Sequence, residues 1–400
     1  MSGTMRSILR ETKGEHHRVT FAELFFDLVF VFAVTQLSHT LLHHLDPLGA
    51  LQVVFLFLAV WWAWIDTAWV TNWIDPDKAP VRLMLLVLML AGLVMSMSLP
   101  GAFGALGLAF ACAYALLQCG RSAYMVYALR DEAPALRRNF QRMLSWHLLV
   151  GAIWIAGGLS GGSGRLALWA IALALENVAP SFGFYVPGLG KSRTTEWTVE
   201  GGHMAERCAL FVIIALGESI LVTGATFAEL DWSVLNISAF LVAFLGTVAM
   251  WWIYFDTGAE RGSARIANSD DPGRQARLAY TYLHMLIVAG IILCAVSDEV
   301  LLAHPSDIPG APAAAAIVGG PALYLLGVGL FKWPLLRRFP LSHLVGLALL
   351  LLTCALIPFA SALLLAASAT IALFAVAVWE NIALRKMGVI PTRESDPQTR

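Results

Sequence analysis

The chain has 400 residues, of which 58% are apolar and only 13% charged, with a formal net charge of −1. A mean hydropathy of +0.72 excludes a soluble enzyme and describes a polytopic membrane protein. The near-neutral balance gives no argument for a nucleic-acid partner, whereas membrane lipid follows directly from the composition. Cys112, Cys119, Cys208, Cys294 and Cys354 lie inside apolar runs without Cys-x-x-Cys spacing and read as small core hydrophobes.

Twelve apolar segments follow in order, roughly at residues 20–45, 48–72, 80–99, 102–128, 139–159, 164–185, 203–228, 233–257, 275–302, 313–333, 341–360 and 361–387, each expected to be a membrane helix. Only Pro358, Ala360 and Ser361 divide the last two, so one broken helix is the alternative there. With the N-terminus inside, Arg165 falls outside and Arg121 within the fourth segment, leaving 24 of the 26 Lys and Arg at cytoplasmic loops and helix ends. Both termini are therefore expected in the cytoplasm. The basic first eighteen residues lead into an apolar run with no small-residue cleavage site, so the first helix is expected to stay in the mature chain.

The first segment sets the problem for the rest. It carries Glu23 and Asp27 about one and two turns inside its cytoplasmic end, and at about 100° per residue Thr20, Glu23, Asp27 and Ser38 share one stripe. Such a stripe must face protein or water, because a carboxylate against hydrocarbon costs about 3 kcal/mol or more.

The two halves of the chain repeat each other. Trp61-Trp62-Ala63-Trp64-Ile65-Asp66-Thr67 reads against Trp251-Trp252-Ile253-Tyr254-Phe255-Asp256-Thr257, and Arg82-Leu83 against Arg277-Leu278. Further along, Tyr114 matches Tyr324, His147-Leu148 matches His343-Leu344, Glu176-Asn177 matches Glu380-Asn381, and Glu23 matches Glu206. The expected architecture is all-α, with about twelve transmembrane helices in two parallel six-helix repeats. A cytoplasmic tail (1–18) precedes the first repeat (19–190). A cytoplasmic linker (191–202), the second repeat (203–388) and a second cytoplasmic tail (389–400) follow.

Ionisable residues inside spans are the candidate sites. Glu23, Asp27, Asp66, Arg82 and Arg121 belong near the inner half of the first repeat, as a gate, a proton relay or ion pairs that fix packing. Glu176 and Glu380, each followed by Asn, occupy the sixth helix of each half and read as hydrogen-bonding or conduction groups. His203 and Glu206 are one turn apart beside Arg207, too few ligands to name a metal site. Asp256 closes the eighth segment. Glu218 lies roughly 20 Å into the membrane from Met204 and is expected to couple a proton or cation. Thr35 and Gln36 occupy the matching region of the first half, an asymmetry that favours a carrier over a symmetric pore. His39, His43, His44 and Asp46 crowd the outer end of the first segment, either as a pH or metal site or as a solvated helix end. The tryptophans at 61, 62, 64, 69, 73, 251 and 252 read as interfacial anchors and packing groups.

Glu23-Leu-Phe-Phe-Asp27-Leu-Val-Phe-Val-Phe-Ala, His203-Met-Ala-Glu206-Arg207 and Leu216-Gly217-Glu218-Ser219 resemble the low temperature requirement protein A (LtrA) family over nearly the whole chain. That resemblance implies an inner-membrane protein associated with growth in the cold and carries no biochemical activity with it. The spacing Glu23-x-Phe25-x-Asp27-x-Val29-Phe30-x-x-Ala33-x-Thr35-x-Leu37 is also similar to the first helix of a potassium-channel family of bacteria and lysosomes, whose signature is Arg followed by Phe-Ser-Asp. That similarity implies pore-lining first helices in six-helix units. Here Phe26 replaces the Ser, the Arg18 spacing differs, and Leu210 stands where the second half would need its Asp.

No phosphate loop, His-Glu-x-x-His, dinucleotide fingerprint or Thr-Val-Gly-Tyr-Gly filter occurs, so no cofactor is implied and ATP-driven pumping and zinc proteolysis lack support. The expectation is a protein that moves a small ion or solute across the cytoplasmic membrane. Glu218 would be its coupling carboxylate, Glu23, Asp27 and Glu206 an inner vestibule, and Arg121 or Arg207 the counter-charges. A membrane-embedded lipid-handling enzyme and a structural or partner-binding protein are the alternatives.

Overall fold

The computed structural model describes residues 7–10, 18–192, 199–256, 272–336 and 338–386. Most of the expected N-terminal tail, the middle of the 191–202 linker, Thr257, Arg261, Arg265, Arg337 and the 389–400 tail lie outside the described residues. Among the described residues the chain is helical, and its β pairing is confined to isolated bridges between Leu9 and Ile74 and between Val186 and Gly190.

Twelve helices coincide in position with the apolar segments. They are α1 (Phe21–His43), α2 (Pro47–Trp73), α3 (Ala79–Ser98), α4 (Gly107–Ala128), α5 (Pro134–Leu159) and α6 (Gly162–Val178), then α7 (Gly201–Ala228) and α8 (Val234–Phe255). α9 spans Gly273–Ala303 and includes a π turn at Arg277–Leu283. α10 (Ala311–Leu336), α11 (Leu341–Thr353) and α12 (Ala362–Lys386) complete the set. Among the described residues nine are long and apolar enough to cross a membrane: α1, α2, α3, α5, α7, α8, α9, α10 and α12. α6 and α11 are shorter, at 17 and 13 residues, and α4 carries Gln118, Arg121 and Ser122. A 3-10 turn at Cys354–Leu356 and the proline at 358 stop α11, and α12 starts afresh with the Ala362 N–H donating to Asp307 O. The 341–387 stretch is therefore two helices packed on each other rather than one broken helix.

Local chemistry explains the helix starts. Thr20 and Glu23 form a capping box at α1, Asp46 accepts from the Leu48 and Gly49 N–H groups ahead of α2, and Ser233 accepts from Asn236 N–H at α8. The outer faces are apolar: Leu83, Leu86, Val87 and Leu90 on α3 are exposed, while Val81, Leu85 and Leu88 turn inward. Large apolar faces of this kind belong against acyl chains rather than water. The protein is a multi-pass membrane protein.

The chain divides into two compact units, Met1–Arg207 with Ile266–Arg277, and Cys208–Arg265 with Leu278–Arg400. In the first, α4 and α5 approach closely because Gly151 and Gly158 carry no side chain; a Cβ on Gly158 would stand 2.9 Å from Gly107 O. Phe110, Tyr114, Trp154 and Trp169 fill the space beside them, with Tyr114–Trp154 and Trp154–Trp169 centroids each 5.0 Å apart. Arg165, the cation expected outside, is buried here, and its guanidinium donates to the carbonyls of Ala102, Gly104, Gly157, Gly158 and Ser160.

In the second unit α9 and α10 meet through Gly290, Gly320 and Gly327. Phe227, Ala239, Leu301, Leu302 and Leu365 form an apolar cluster among α7, α8, α9 and α12. A Cβ on Gly290 would lie 2.5 Å from Tyr324 N, so Gly290→Val is expected to destabilise the protein by about 1–3 kcal/mol in thermal melts in detergent. Gly224, where a Cβ meets nothing within 4 Å, should tolerate alanine with little change in the same assay.

Candidate functional site

The acids of the first helix are held in a closed, charge-balanced group. Glu23 and Asp27 sit one turn apart on α1 and are 0% and 1% exposed. Glu23 Oε2 accepts from the Thr20 N–H at 2.9 Å, the Thr20 hydroxyl at 3.0 Å and Arg10 Nη2 at 3.1 Å. Arg10 also donates through Nε to Thr71 O and Ile74 O, tying the same guanidinium to the C-terminal end of α2. Asp27 Oδ1 accepts from Trp64 Nε1 at 2.8 Å and Arg207 Nη2 at 2.7 Å, and Arg207 Nη1 stands 3.4 Å from Glu23 Oε1.

His203 completes this group, with Nδ1 3.2 Å from Asn72 Nδ2 and Nε2 2.8 Å from Glu23 Oε1. The Asn72 amide nitrogen can only donate, so Nδ1 accepts and Nε2 gives its proton to Glu23, the nearer of its two neighbours, with Arg10 Nη2 3.2 Å away. Both ring nitrogens are thereby engaged, which leaves no lone pair for a metal. Two carboxylates face two guanidiniums around a neutral imidazole, so the sum of charge is zero. Glu206, only partly buried, accepts from the Val19 N–H at 3.1 Å.

A second group in the same unit is not balanced. Asp66 on α2 accepts from Arg121 Nη2 at 3.1 Å and Gln118 Nε2 at 3.2 Å, with His147 Nε2 3.7 Å away. Arg121, fully buried, also donates to Ala63 O, to the Thr67 hydroxyl and to Gln118 Oε1. Glu176, 6% exposed on α6, accepts from the Tyr114 hydroxyl at 2.7 Å through Oε1, while its Oε2 has no hydrogen-bond partner among the described residues. Asp66, Gln118, His147 and Glu176 all line one cavity of about 10 Å³, room for a single water. Arg121 pairs with Asp66, and Glu176 forms no ion pair among the described residues.

In the second unit Glu380 is neutralised, unlike its sequence counterpart Glu176. Lys332 Nζ donates to it at 2.6 Å, the Ser342 hydroxyl at 3.1 Å, and His343 Nδ1 lies at 3.2 Å. Glu218 is 1% exposed on α7. Its neighbour Ser219 donates to Asp298 Oδ2 on α9 and lies 2.9 Å from the Thr247 hydroxyl of α8. Tyr254 donates to His284 Nε2 at 2.8 Å, and His284 Nδ1 donates to Ala279 O within the π turn.

Several expected residues stand apart. Arg82 is exposed and pairs with Asp77 at 3.8 Å rather than with Asp66, because α3 turns it to the surface at its first turn. Asp256, also exposed, accepts from Trp252 Nε1 and Asn381 Nδ2 and meets no cation among the described residues. His39, His43 and His44 are exposed at the end of α1. Among the described residues no three His, Cys, Asp or Glu converge on a metal position. Asp298, Lys332, Arg10 and Asn72 were not singled out from sequence. The signal for Asp298 was present as an acid inside the ninth apolar segment, and for Lys332 as a cation inside the tenth.

A family model described as Bacterial low temperature requirement A protein (LtrA) matches residues 18–378. A protein of Rhizobium meliloti (strain 1021) that is described as uncharacterized is 40% identical over 385 residues, covering 95% of this chain and 93% of its own length. No solved structure matches.

Arg207 is the cation that Asp27 touches, and removing it strands a buried charge. Arg207→Ala is expected to lower stability by about 3–5 kcal/mol. Adding Asp27→Asn to that variant should recover part of the loss in a thermal melt, whereas two independent losses that simply add would show that the pair is not coupled.

Proposed function

The chain belongs to the bacterial low temperature requirement A (LtrA) family, and from that premise we propose that it moves a small ion or solute across the cytoplasmic membrane. It is read as twelve spans in two parallel six-helix repeats with both termini in the cytoplasm. The partition of Lys and Arg along the sequence supports that topology. The repeat is supported by the ordered matches between the halves of the sequence.

The observation that carries the transport reading is the unbalanced group on α2, α4, α5 and α6. A carboxylate oxygen of Glu176 has no hydrogen-bond partner among the described residues beside a small cavity, and the buried arginine of the group, Arg121, pairs with Asp66. A purely structural pair needs neutrality in hydrocarbon, as Glu23 and Asp27 have with Arg10 and Arg207. An acid kept without its counter-charge marks a place where a mobile cation visits. On this reading the balanced group at the start of α1 is the closed inner gate, with Glu206 at its rim, and Glu218 of the second unit is a coupling carboxylate.

A second reading, a structural or partner-binding protein, is favoured by a specific observation of its own. Glu23, Asp27, Asp66 and Glu380 all touch a cation, and the cavities beside Glu176 and Asp298 are only about 10 and 30 Å³. A lipid-handling enzyme draws no support from the two larger surface grooves. One is lined by apolar side chains with an Asp77–Arg82 pair, the other by apolar side chains and Cys354.

Flux of K⁺, Na⁺ and H⁺ into proteoliposomes separates the readings. Wild-type protein should carry at least one of them down its gradient, and Glu176→Gln, which keeps the acceptor for Tyr114, should abolish that flux. Flux that survives in Glu176→Gln removes this acid from the path, and no flux of any ion favours the structural reading.

A further inference from the structure

We propose that the α9 carboxylate of Asp298, with Ser219, Thr247 and water drawn into the adjoining cavity, is a proton-binding site. Its place in transport rests on the reading above; the binding itself does not. Asp298 is 9% exposed and forms no ion pair among the described residues. The Ser219 hydroxyl donates to its Oδ2, and Oδ1 makes no hydrogen bond to the described residues. Since Ser219 gives its proton to the acid, the Thr247 hydroxyl donates to Ser219 across 2.9 Å, and the hydroxyl chain runs toward the carboxylate.

Asp298 lines a cavity of about 30 Å³ together with Thr247, Ser297, Pro321 and Thr370, enough for about two waters. Pro321, inside α10, has no N–H to give the carbonyl of Ile317, which also lines the cavity. The hydroxyl-bearing residues Thr247, Ser297 and Thr370 supply polar partners for the waters.

The charges facing Asp298 decide which cation it takes. α7 presents Ser219, α8 Thr247, α10 Ile317 and Pro321, and α12 Thr370, so among the described residues no Arg, Lys or His lines the cavity. On α9 itself the other titratable group at the cavity is Cys294, and Glu299, next in sequence, is partly exposed. One uncompensated carboxylate at low dielectric needs one positive charge. Hard metal ions require a shell of oxygens, whereas most of this lining is apolar. A proton needs no shell. Hydronium at the cavity gives it to Oδ1, water is left behind, and the resulting O–H donates back to that water while Ser219 remains on Oδ2.

The test is equilibrium infrared difference spectroscopy of the full chain in lipid nanodiscs, between acid and alkaline buffers and without any gradient. Wild type should show a protonated-carboxyl C=O band that disappears on alkalinisation. Asp298→Asn should lose one such carboxyl per chain, and Ser219→Ala should shift the band because the carbonyl loses its donor. An unchanged set of bands in Asp298→Asn overturns the proposal. So does loss of the band on adding Na⁺ at constant pH, which would assign the site to a metal cation. If Asp298→Asn fails to fold, Ser219→Ala and Thr247→Val decide, and a band that neither variant moves overturns it equally. A protein that moves nothing can pass this test and a transporter can fail it, so the outcome is separate from the flux assay.

Discussion

Neutrality of charge away from water is the constraint on which this structure depends. A helix that must sit in hydrocarbon keeps two acids within one turn only if the surrounding protein returns two positive charges to the same spot. Arg207 does so from α7 and Arg10 from the segment that runs along the end of α2. The capping box at Thr20 puts Glu23 to a second use, since the same oxygen that receives Arg10 also closes the first turn of α1. Helix start, ion pair and contact with α7 are thus one construction.

Where that balance is broken, chemistry becomes available. Glu176 and Glu380 occupy matching sequence positions and have opposite surroundings: a tyrosine hydroxyl and a small polar void around one, a lysine ammonium on the other. The difference arises on the helix facing each acid. Lys332 supplies a charge at the position, counted from the Tyr114–Tyr324 match, that Ser122 occupies in the first half. Ser122 is instead 2.8 Å from His147 Nδ1.

The helices were legible because hydropathy over some twenty residues is a property of the segment, insensitive to which neighbour it meets. The presence of Glu23, Asp27 and Arg207 in one charged group was legible for a related reason, since few charges occur in these segments and they have to find one another. Partner identity was not. Arg82 follows Asp66 closely in sequence, but α3 faces it outward, and Arg121 reaches Asp66 from α4. Asp298 was missed because it lies only five residues before the end of α9, where an acid reads as interfacial; its burial depends on Ser219 and on helices far away in sequence. Lys332 was counted as an ordinary end-of-span cation, and only the packing of α10 against α12 makes it a counter-charge.

Arg165 carries a different lesson about positive charge at membrane ends. Its guanidinium is spent on five backbone oxygens from the turn before α4 and the turn between α5 and α6, with the ring of Trp169 5.7 Å beneath it. A planar fork can serve that many acceptors at once and an ammonium cannot, so lysine is no substitute. The two turns are thereby fixed as a single rigid rim, and insertions that other loops of a membrane protein absorb freely would here pull acceptors off the fork. Loop length at this rim is set by the reach of one side chain.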